Sequence, residues 1–588
     1  MLAFKYIESE EIQERGYQFE DVAEIIKLSK LGKNIGLVWS TSLGKTPAAI
    51  LVADHFLDAG KVLILGITNP LCSQHLRSCR QMFNLPDDQI NMLVGSVAKK
   101  KRAALWQDSR IVVSTPQTIV NEVEVGRIDL SDVSFVVFDE MHMANKKYAY
   151  VDIARMCQSL DIRVLCLTAS PGDRNKRLLL EKNYGLNWWF YRSDEDVPEF
   201  AFPKEELVTI VDYPEHHNQA MFHLRKFLFQ VHNGLAGCGV IGELELPDQD
   251  DYNTRINFLR ITELKKVRPA LCRWVEEQKS NPNSKYKRGL WYQFIICHAA
   301  YFKMMHLLNV FVTESYQGAL KSIEEKVQAK AFPGQGKKQD QIAVRIWNNP
   351  NFQAFRRQLI QIVDQELVHP KAIQLVELLK KRRQYDEKIL VFVNDKAVLD
   401  ILQTGLSNLG FDCNGVAGNA FMSQKQRQEI LQEFTADKFK ILLATNVLQA
   451  GIHVPALDVV INYTMPENGI AMIQRAGRAG RTGVGLVCYL IMQNSNDTSL
   501  FFAAKAEIKR MDVEMRRIIK IQEMELAGLD VFGMRAQEQE LLFDYDEAPD
   551  IDDELVQLSK HKRPTKGRVR TRRPKVKQPE LFPIKQWE

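Results

Sequence analysis

The sequence lacks paired cysteines. Its nine stand at positions 72, 79, 157, 166, 238, 272, 297, 413 and 488, with no C-x-x-C among them, and several fall inside apolar runs such as VLCLTAS and LVCYLI. That spacing speaks against a disulfide framework or a cysteine zinc site and fits buried free thiols in a reducing compartment. A run of eighteen apolar residues is also missing, so no membrane span is expected. The opening stretch MLAFKYIESEEIQERG is broken by acidic residues where a secretory signal needs an unbroken apolar core. No repeat of solenoid period occurs. Charge of one sign is missing too. The chain has 78 basic and 73 acidic residues and a net charge of +5, so it is no uniformly basic coat for nucleic acid.

What is present begins with length. At 588 residues the chain exceeds a single core, and 45% hydrophobic with 26% charged residues is ordinary globular composition. Short β-branched runs alternate with helical patterns from about 35 to 212: NIGLVW, KVLILGI, RIVVST, VSFVVFDE and VLCLTAS. The alternation returns near 388 with KILVFVN, FDCNGVAG, KILLATN, LDVVINY and GLVCYLI. Continuous apolar runs of this kind suit strands buried on both faces of a parallel sheet. The fold class expected is therefore α/β, with two parallel-sheet domains. Between them, roughly 215–368, helical spacing dominates, and most of its aromatic residues (Trp274, Trp291, Tyr292, Tyr301, Phe302) are expected in the core of a helical bundle. Near the end, Asp544 to Glu554 holds seven acidic residues and Lys560 to Lys577 ten basic ones, the pattern of a solvated, disordered tail.

Three motifs carry chemistry. In WSTSLGKT (39–46), Gly44 lets backbone approach a phosphate, Lys45 supplies a point charge, and the Thr46 hydroxyl suits a magnesium ion. The loop follows one buried strand pattern and precedes the helical run AAILVADHF, the context a phosphate loop needs. VVFDEMH (136–142) ends another buried strand in two carboxylates. Asp139 suits the metal shell, and Glu140 suits activation of an attacking water. In QRAGRAGR (474–481), Arg478 and Arg481 have the spacing and charge to stabilise a phosphoryl-transfer transition state.

Taken in order, these motifs resemble those of the superfamily 2 helicases, whose two RecA-like domains hold ATP between them. Gln18 in RGYQFE resembles the upstream glutamine that reads adenine. TNPLCSQH (68–75) resembles motif Ia, STPQT (114–118) motif Ib, DEMH the DEAH form of motif II, and TAS (168–170) motif III. FVND (392–395) resembles motif IV, ATNVLQAGIHVP (444–455) motif V and QRAGRAGR motif VI. Trp39, Ser40 and Ser42 depart from the usual Ala, Pro and Gly of the family's loop, Met141 from its Ala, and His453 from its Asp. QMFNLPDDQINMLVG, the stretch from STPQTIVNEVEVGRIDL through DEMH to YAYV, and LTASPG look more closely like the archaeal Hef helicases and the Fanconi anaemia M-type translocases. LLNVFVTESYQGALKSIEEKV with LVHPKAIQLVELL is similar to the end of their inserted thumb-like domain.

The resemblance implies a first RecA-like domain over 1–213, a helical insert over 214–368 that meets duplex or branch, a second RecA-like domain over 369–525, and an acidic-then-basic tail over 526–588. It implies ATP and Mg2+ as cofactors, with Arg15, Gln18, Thr41, Ser42, Leu43, Gly44, Lys45, Thr46, Asp139 and Gly451 at the nucleotide and Gln474 joining the catalytic set. Thr68, Asn69, Pro70, Gln74, Thr115, Pro116, Gln117, Asn394, Thr445 and Asn446 are implied contacts to nucleic acid. The activity implied is an ATP-dependent DNA helicase or translocase on forks and junctions, running 3′ to 5′. It would work in the cytoplasm or on the nucleoid, or in the nucleus of a eukaryote. No nuclease triplet follows the second domain, so cleavage would need a separate partner, and the tail is a candidate dock for a nuclease or sliding clamp. Dicer and the double-stranded RNA sensors share the insert, which leaves an RNA translocase or sensor open. The altered loop leaves a non-hydrolysing nucleic-acid clamp open as well.

Overall fold

In this computed structural model the described residues are 4–7, 15–144, 148–245, 258–259, 261–281, 284, 286, 288–334, 338–418, 420–448, 457–480 and 483–529. Gly451, His453, Arg481 and the tail from 530 onward, named above, lie outside them. The chain divides into two compact units. Among the described residues, one comprises those within Met1–Thr209, Lys381–Tyr489 and 499–529; the other comprises those within Ile210–Lys380 and Leu490–Thr498.

The first unit is built on two sheets. Its opening lobe alternates α1 (Gly16–Lys30), β1 (Ile35–Trp39), α2 (Lys45–Asp54), β2 (Lys61–Leu65), α3 (Asn69–Met82), β3 (Ile90–Leu93), α4 (Lys99–Asp108), β4 (Ile111–Ser114), α5 (Pro116–Glu124), β5 (Val133–Phe138), α6 (Ala149–Ser159), β6 (Arg163–Thr168), α7 (Arg174–Tyr184) and β7 (Trp188–Arg192). The strands form one seven-stranded sheet in the order β3-β4-β2-β5-β6-β1-β7, every pair parallel. All five residues of β1 are buried, as its unbroken apolar run requires in a sheet covered on both faces.

Next come β8 (Lys204–Val211) and the helices α8 (Glu215–Ala236), α9 (Ile261–Ser280), α10 (Arg288–Thr313), α11 (Tyr316–Ile323), the single turn α12 (Ala329–Ala331), α13 (Gln341–Asn348), α14 (Pro350–Asp364) and α15 (Pro370–Arg382). The second sheet follows with β9 (Ile389–Phe392), α16 (Lys396–Asn408), β10 (Cys413–Val416), α17 (Gln424–Thr435), β11 (Ile441–Ala444), β12 (Val459–Asn462), α18 (Gly469–Ala476), β13 (Gly485–Met492) and the 31-residue α19 (Asn496–Leu526). Its strand order is β10-β11-β9-β12-β13-β8. Two parallel-sheet domains separated by helices are thus what the run pattern predicts.

Two elements sit elsewhere than the sequence boundaries put them. β8 falls inside the stretch assigned to the first domain, yet it is the edge strand of the second sheet. There Pro203 O accepts from Gly485 N at 3.0 Å and Val211 O from Gln493 N at 2.9 Å. α19 leaves the second sheet and returns to the first lobe, where Met511, Met515, Ile518 and Ile521 are buried in the same core as Phe138 and Tyr184. The Gln522 amide donates to Trp189 O at 2.8 Å while its oxygen accepts from Trp189 N at 2.9 Å, so a side chain pairs the open edge of β7.

In the second unit, α8, α10, α11 and α14 surround a core of Leu224, Phe227, Tyr301, Met304, Phe311 and Phe355. The stretch Leu290–Thr313 of α10 has the length and mean hydropathy, 1.4, of a membrane span, but one of its faces supplies this core. Of the aromatic residues predicted for the bundle, Tyr301 is fully buried, Trp274 and Phe302 pack half-buried against it, and Tyr292 is exposed. The same unit holds a buried ion pair: Lys371 Nζ lies 2.8 Å from Asp497 Oδ2, and neither side chain is more than 3% exposed. Burial pushes the Asp497 carboxyl up, and Lys371 works against that push. Lys371→Ala leaves a buried carboxylate without its cation, held among the described residues only by the Met492 N–H, and is expected to cost about 3–5 kcal/mol. The paired change Lys371→Met with Asp497→Asn is expected to lose less. Urea unfolding of the three chains measures both.

Candidate nucleotide and nucleic-acid site

The strand order decides which loops meet. β5, β6 and β1 are consecutive neighbours, so the segments after their carboxyl ends (139–142, 168–170 and 40–46) emerge side by side. β2 and β4 are also neighbours, which sets 68–74 beside 115–117. Open parallel sheets bind ligands along that rim.

The loop after β1 is held from below. Trp39 is fully buried, and Tyr17 meets it edge to face at 5.4 Å. The residue that departs most from the family's loop is therefore a core side chain at the end of a strand. Tyr17 Oη donates to Leu43 O at 2.7 Å, Gln18 Nε2 to Leu43 O at 2.9 Å and Gly44 O at 3.3 Å, and Arg15 Nη1 to Ser42 O at 3.3 Å. Ser42 Oγ donates to Asp194 Oδ1 at 3.2 Å. The Gln18 amide assigned to adenine is thus buried beneath the loop and bonded to it, a bracing role its sequence position did not reveal. Gly44 stands at φ 77°, and a Cβ there would come within 2.4 Å of Gln18 Nε2. α2 starts directly after it, leaving the unpaired N–H groups of a first helical turn at the loop. Lys45 Nζ donates to Trp39 O at 2.8 Å and Ser40 O at 3.2 Å. Burial lowers its pKa, and attraction to Glu140 and Asp139 opposes that shift.

At the end of β5, Asp139 N donates to Leu65 O at 3.0 Å and Asp139 Oδ1 accepts from Glu140 N at 2.9 Å. Its Oδ2 lies 2.8 Å from Nε2 of His75, a buried side chain on α3. Burial would raise the Asp139 pKa, but the hydrogen bond and charge of His75, with help from Lys45, hold it down. His75 was passed over in the sequence in favour of its neighbour Gln74; its place one step inward on the helix was the available signal. Glu140 has the opposite environment. Burial and the Asp139 charge push its carboxyl up to about 7, while Lys45, Arg478 and the Gln474 amide pull the other way. His142 Nδ1 sits 3.3 Å from Glu140 Oε2 and 3.1 Å from Thr168 Oγ1. The Thr168 hydroxyl donates to Ser170 O at 2.9 Å, so Nδ1 carries the proton in that contact. Burial lowers the His142 pKa to about 4, which leaves the ring neutral. Met141 is fully buried in the core, so this departure from DEAH also points away from the rim.

A magnesium ion fits this donor set. Among the described residues no three His, Cys, Asp or Glu side chains gather to cage a metal. Magnesium bound with a nucleotide keeps waters and phosphate oxygens and needs few protein ligands. The Asp139 carboxylate and the Thr46 hydroxyl would hold it.

The second lobe brings α18 to the same place. Gln474 Nε2 lies 3.5 Å from Glu140 Oε2. Gly477 packs so closely on Thr41 that an added Cβ would fall 1.8 Å from Thr41 Oγ1. Arg478 is near enough to lower the Glu140 pKa. The first arginine of QRAGRAGR, not singled out in the sequence, organises the neighbouring loops. Arg475 is buried, stacks 4.7 Å from the Phe392 ring, and donates to Asn462 Oδ1 (3.1 Å), Thr464 O (2.7 Å), Asn394 Oδ1 (3.1 Å) and Asn446 Oδ1 (2.7 Å). Asn394 and Asn446, implied as strand contacts, thus spend their side-chain oxygens on Arg475; Thr445 is buried beside them.

The remaining implied contacts lie at helix starts. Thr68 caps α3, accepting from Leu71 N at 3.3 Å, and Asn69 and Pro70 open that helix, with half-buried Gln74 one turn on. Thr115 precedes α5 and pairs with Thr118 Oγ1 at 2.8 Å, Pro116 begins the helix, and Gln117 is exposed. The N–H groups of Asn69 and Gln117 at two adjacent helix starts are suited to phosphates and carry no base readout; Pro70 and Pro116 have no N–H, and the following ones are already bonded to Thr68 and Thr115.

Comparison with known proteins agrees with this geometry. Residues 20–178 match the DEAD/DEAH box helicase family and residues 370–483 the helicase conserved C-terminal domain. A putative ATP-dependent RNA helicase of Methanocaldococcus jannaschii is 29% identical over 511 residues, covering 84% of this chain and 60% of that protein. The ATP-dependent DNA helicase fml1 of Schizosaccharomyces pombe is 24% identical over 525 residues, covering 84% and 58%. The DEAD-box ATP-dependent RNA helicase FANCM of Arabidopsis thaliana is 24% identical over 517 residues, covering 82% and 35%. The chain thus spans 60% or less of the length of these curated relatives. The crystal structure of the Pyrococcus furiosus Hef helicase domain superposes with a TM-score of 0.62 at 29% identity, covering 85% of this chain and all of that one.

Two outcomes follow from the site. Gly477→Ala forces a methyl into Thr41; overpacking of this kind costs on the order of 1–3 kcal/mol, so steady-state ATP turnover is expected to fall about tenfold, with part recovered by adding Thr41→Gly. A base with its pKa near 7 works only when deprotonated. The plot of kcat/KM against pH is therefore expected to drop on the acid side of about 7.

Proposed function

We propose that this chain, a member of the DEAD/DEAH-box helicases of superfamily 2 with the architecture of the Hef helicase domain, hydrolyses ATP to move along and remodel branched DNA. The observation that carries the reading is the meeting of both lobes at one point. The loop 40–46, the Asp139-Glu140 pair and the α18 residues Gln474, Gly477 and Arg478 converge there.

The triphosphate lies over the start of α2, where backbone N–H groups and Lys45 receive its oxygens. Asp139 and Thr46 would hold a magnesium ion, which would supply neutralisation of the phosphate charge. Glu140 accepts the proton of a water whose oxygen forms a bond to the γ-phosphorus. As that bond forms, the bridging oxygen–phosphorus bond breaks and ADP departs with its electron pair. Gln474 orients Glu140, and Arg478 offsets charge on the transferring group. Arg475 ties the site to Asn394 and Asn446 through one buried guanidinium, so a shift of α18 is transmitted to the loops facing nucleic acid. Thr68, Asn69, Pro70, Gln74, Thr115, Pro116 and Gln117 grip phosphates on the other lobe. We assign travel in the 3′ to 5′ sense and forks and junctions as substrates on the Hef-like architecture. RNA is the second reading, favoured by the names of the Methanocaldococcus and Arabidopsis relatives.

The deciding experiment measures ATP turnover with forked DNA, single-stranded DNA and duplex RNA for the wild type, Lys45→Ala and Glu140→Gln. Fork-stimulated turnover is expected, with Glu140→Gln about 10²–10⁴-fold lower and Lys45→Ala similarly impaired. Stimulation by RNA alone would transfer the function to RNA. Equal turnover in all three chains would mean a clamp that does not hydrolyse.

A further inference from the structure

Six non-glycine residues among those described have positive φ. Five of them (Asp161, Glu366, Asp386, Asp437 and Asn494) sit in exposed turns. The sixth is Glu140, at φ 53° and ψ 49°, with its side chain only 21% exposed. A left-handed residue away from solvent persists only where its surroundings enforce that conformation.

Two tyrosines outside the numbered motifs, Tyr150 in YAYV and Tyr184, supply the enforcement. Tyr150 on α6 donates its hydroxyl to the carbonyl of Asp139 at 2.6 Å, and the same hydroxyl lies 3.1 Å from Leu65 O. Tyr184, the last residue of α7, donates to Met141 O at 3.1 Å. The carbonyl of Glu140 between them is taken by Met143 N at 3.0 Å. Both tyrosines are fully buried, and Phe138 lies against each ring edge to face, 5.3 Å from Tyr150 and 4.9 Å from Tyr184. A phenylalanine would fill either space. The hydroxyls are spent on two carbonyls bracketing one strained residue. Burial also raises both phenol pKa values well above the ordinary range, which keeps the protons in place for donation.

We propose that Tyr150 and Tyr184 are positioning residues that clamp the Asp139–Met141 segment in its left-handed turn and so aim Glu140 at the water it activates. The inference rests on Glu140 being the base in ATP hydrolysis, as set out above.

The test uses Tyr150→Phe, Tyr184→Phe and their combination in the full chain, each also in the Glu140→Gln background, with Tyr148→Phe as control. Tyr148 packs edge to face on Tyr150 at 5.3 Å. Misplacement of a catalytic group by about an ångström costs up to about a hundredfold. The combined variant is expected to lower kcat about ten- to a hundredfold while KM for ATP stays within about twofold. Each single variant falls between, Tyr148→Phe matches the wild type, and all melt cooperatively. In the Glu140→Gln background, removing the hydroxyls is expected to cause no further loss, because the group they aim is gone. The clamp is overturned if the combined variant keeps wild-type kcat, if kcat and ATP affinity fall together and equally in both backgrounds, or if both single variants lose cooperative melting. Wild-type turnover in Glu140→Gln alone would instead overturn the assignment of Glu140, and the two failures are therefore distinguishable.

Discussion

A parallel strand buried on both faces has only its two ends at which to present chemistry. That constraint governs this protein. β1, β5 and β6 are apolar almost throughout, and the polar groups they themselves bring to the site lie at or just past their carboxyl ends. Their adjacency then fixes the neighbourhood of the phosphate loop, the carboxylate pair and the Thr168–Ser170 segment. The second sheet obeys the same rule: β9 and β11 end side by side at Asn394 and Thr445, and a single buried guanidinium joins their loops to α18.

Within that frame the two carboxylates acquire opposite characters from their surroundings. Asp139 is bonded by its own chain and by His75, which keeps it charged and suited to a cation. Burial beside that charge, with few donors, pushes the Glu140 carboxyl up to about 7, the range that suits the base proposed above. Adjacent positions at one strand end thus take opposite protonation tendencies through environment alone.

The alternation of apolar runs made the two sheets legible, because strands buried on both faces must be continuous in hydrophobicity. The strand-end positions of the candidate residues were legible as well, since Gly44, Lys45 and the carboxylate pair each follow an apolar run in a recognisable spacing. Braces were not. Gln18, His75, Arg475, Tyr150 and Tyr184 act through hydrogen bonds to groups many residues distant, and local pattern carries no trace of such partners. The placement of β8 and α19 was hidden for a related reason: an edge strand and an amphipathic helix announce their type and not the lobe that will receive them. The unusual Trp39 and Met141 read as departures within a motif, and only their burial in the core explains why the loop and the strand end tolerate them.

α19 begins at the second sheet, where Glu507 Oε2 accepts from Gly469 N at 2.8 Å, and ends with Gln522 paired to both backbone groups of Trp189 on the first. Between these points Arg177 donates to Glu514 at 3.0 Å, and Tyr191 to Asp512 at 2.6 Å. A continuous helix bonded to both lobes, at Glu507 to Gly469 and Lys176 and at Gln522 to Trp189, leaves them little freedom to drift apart along its length. One unbroken helix is thereby a strut common to both sheets, and cutting its bonds at either Gly469 or Trp189 would leave the lobes joined there by one contact fewer.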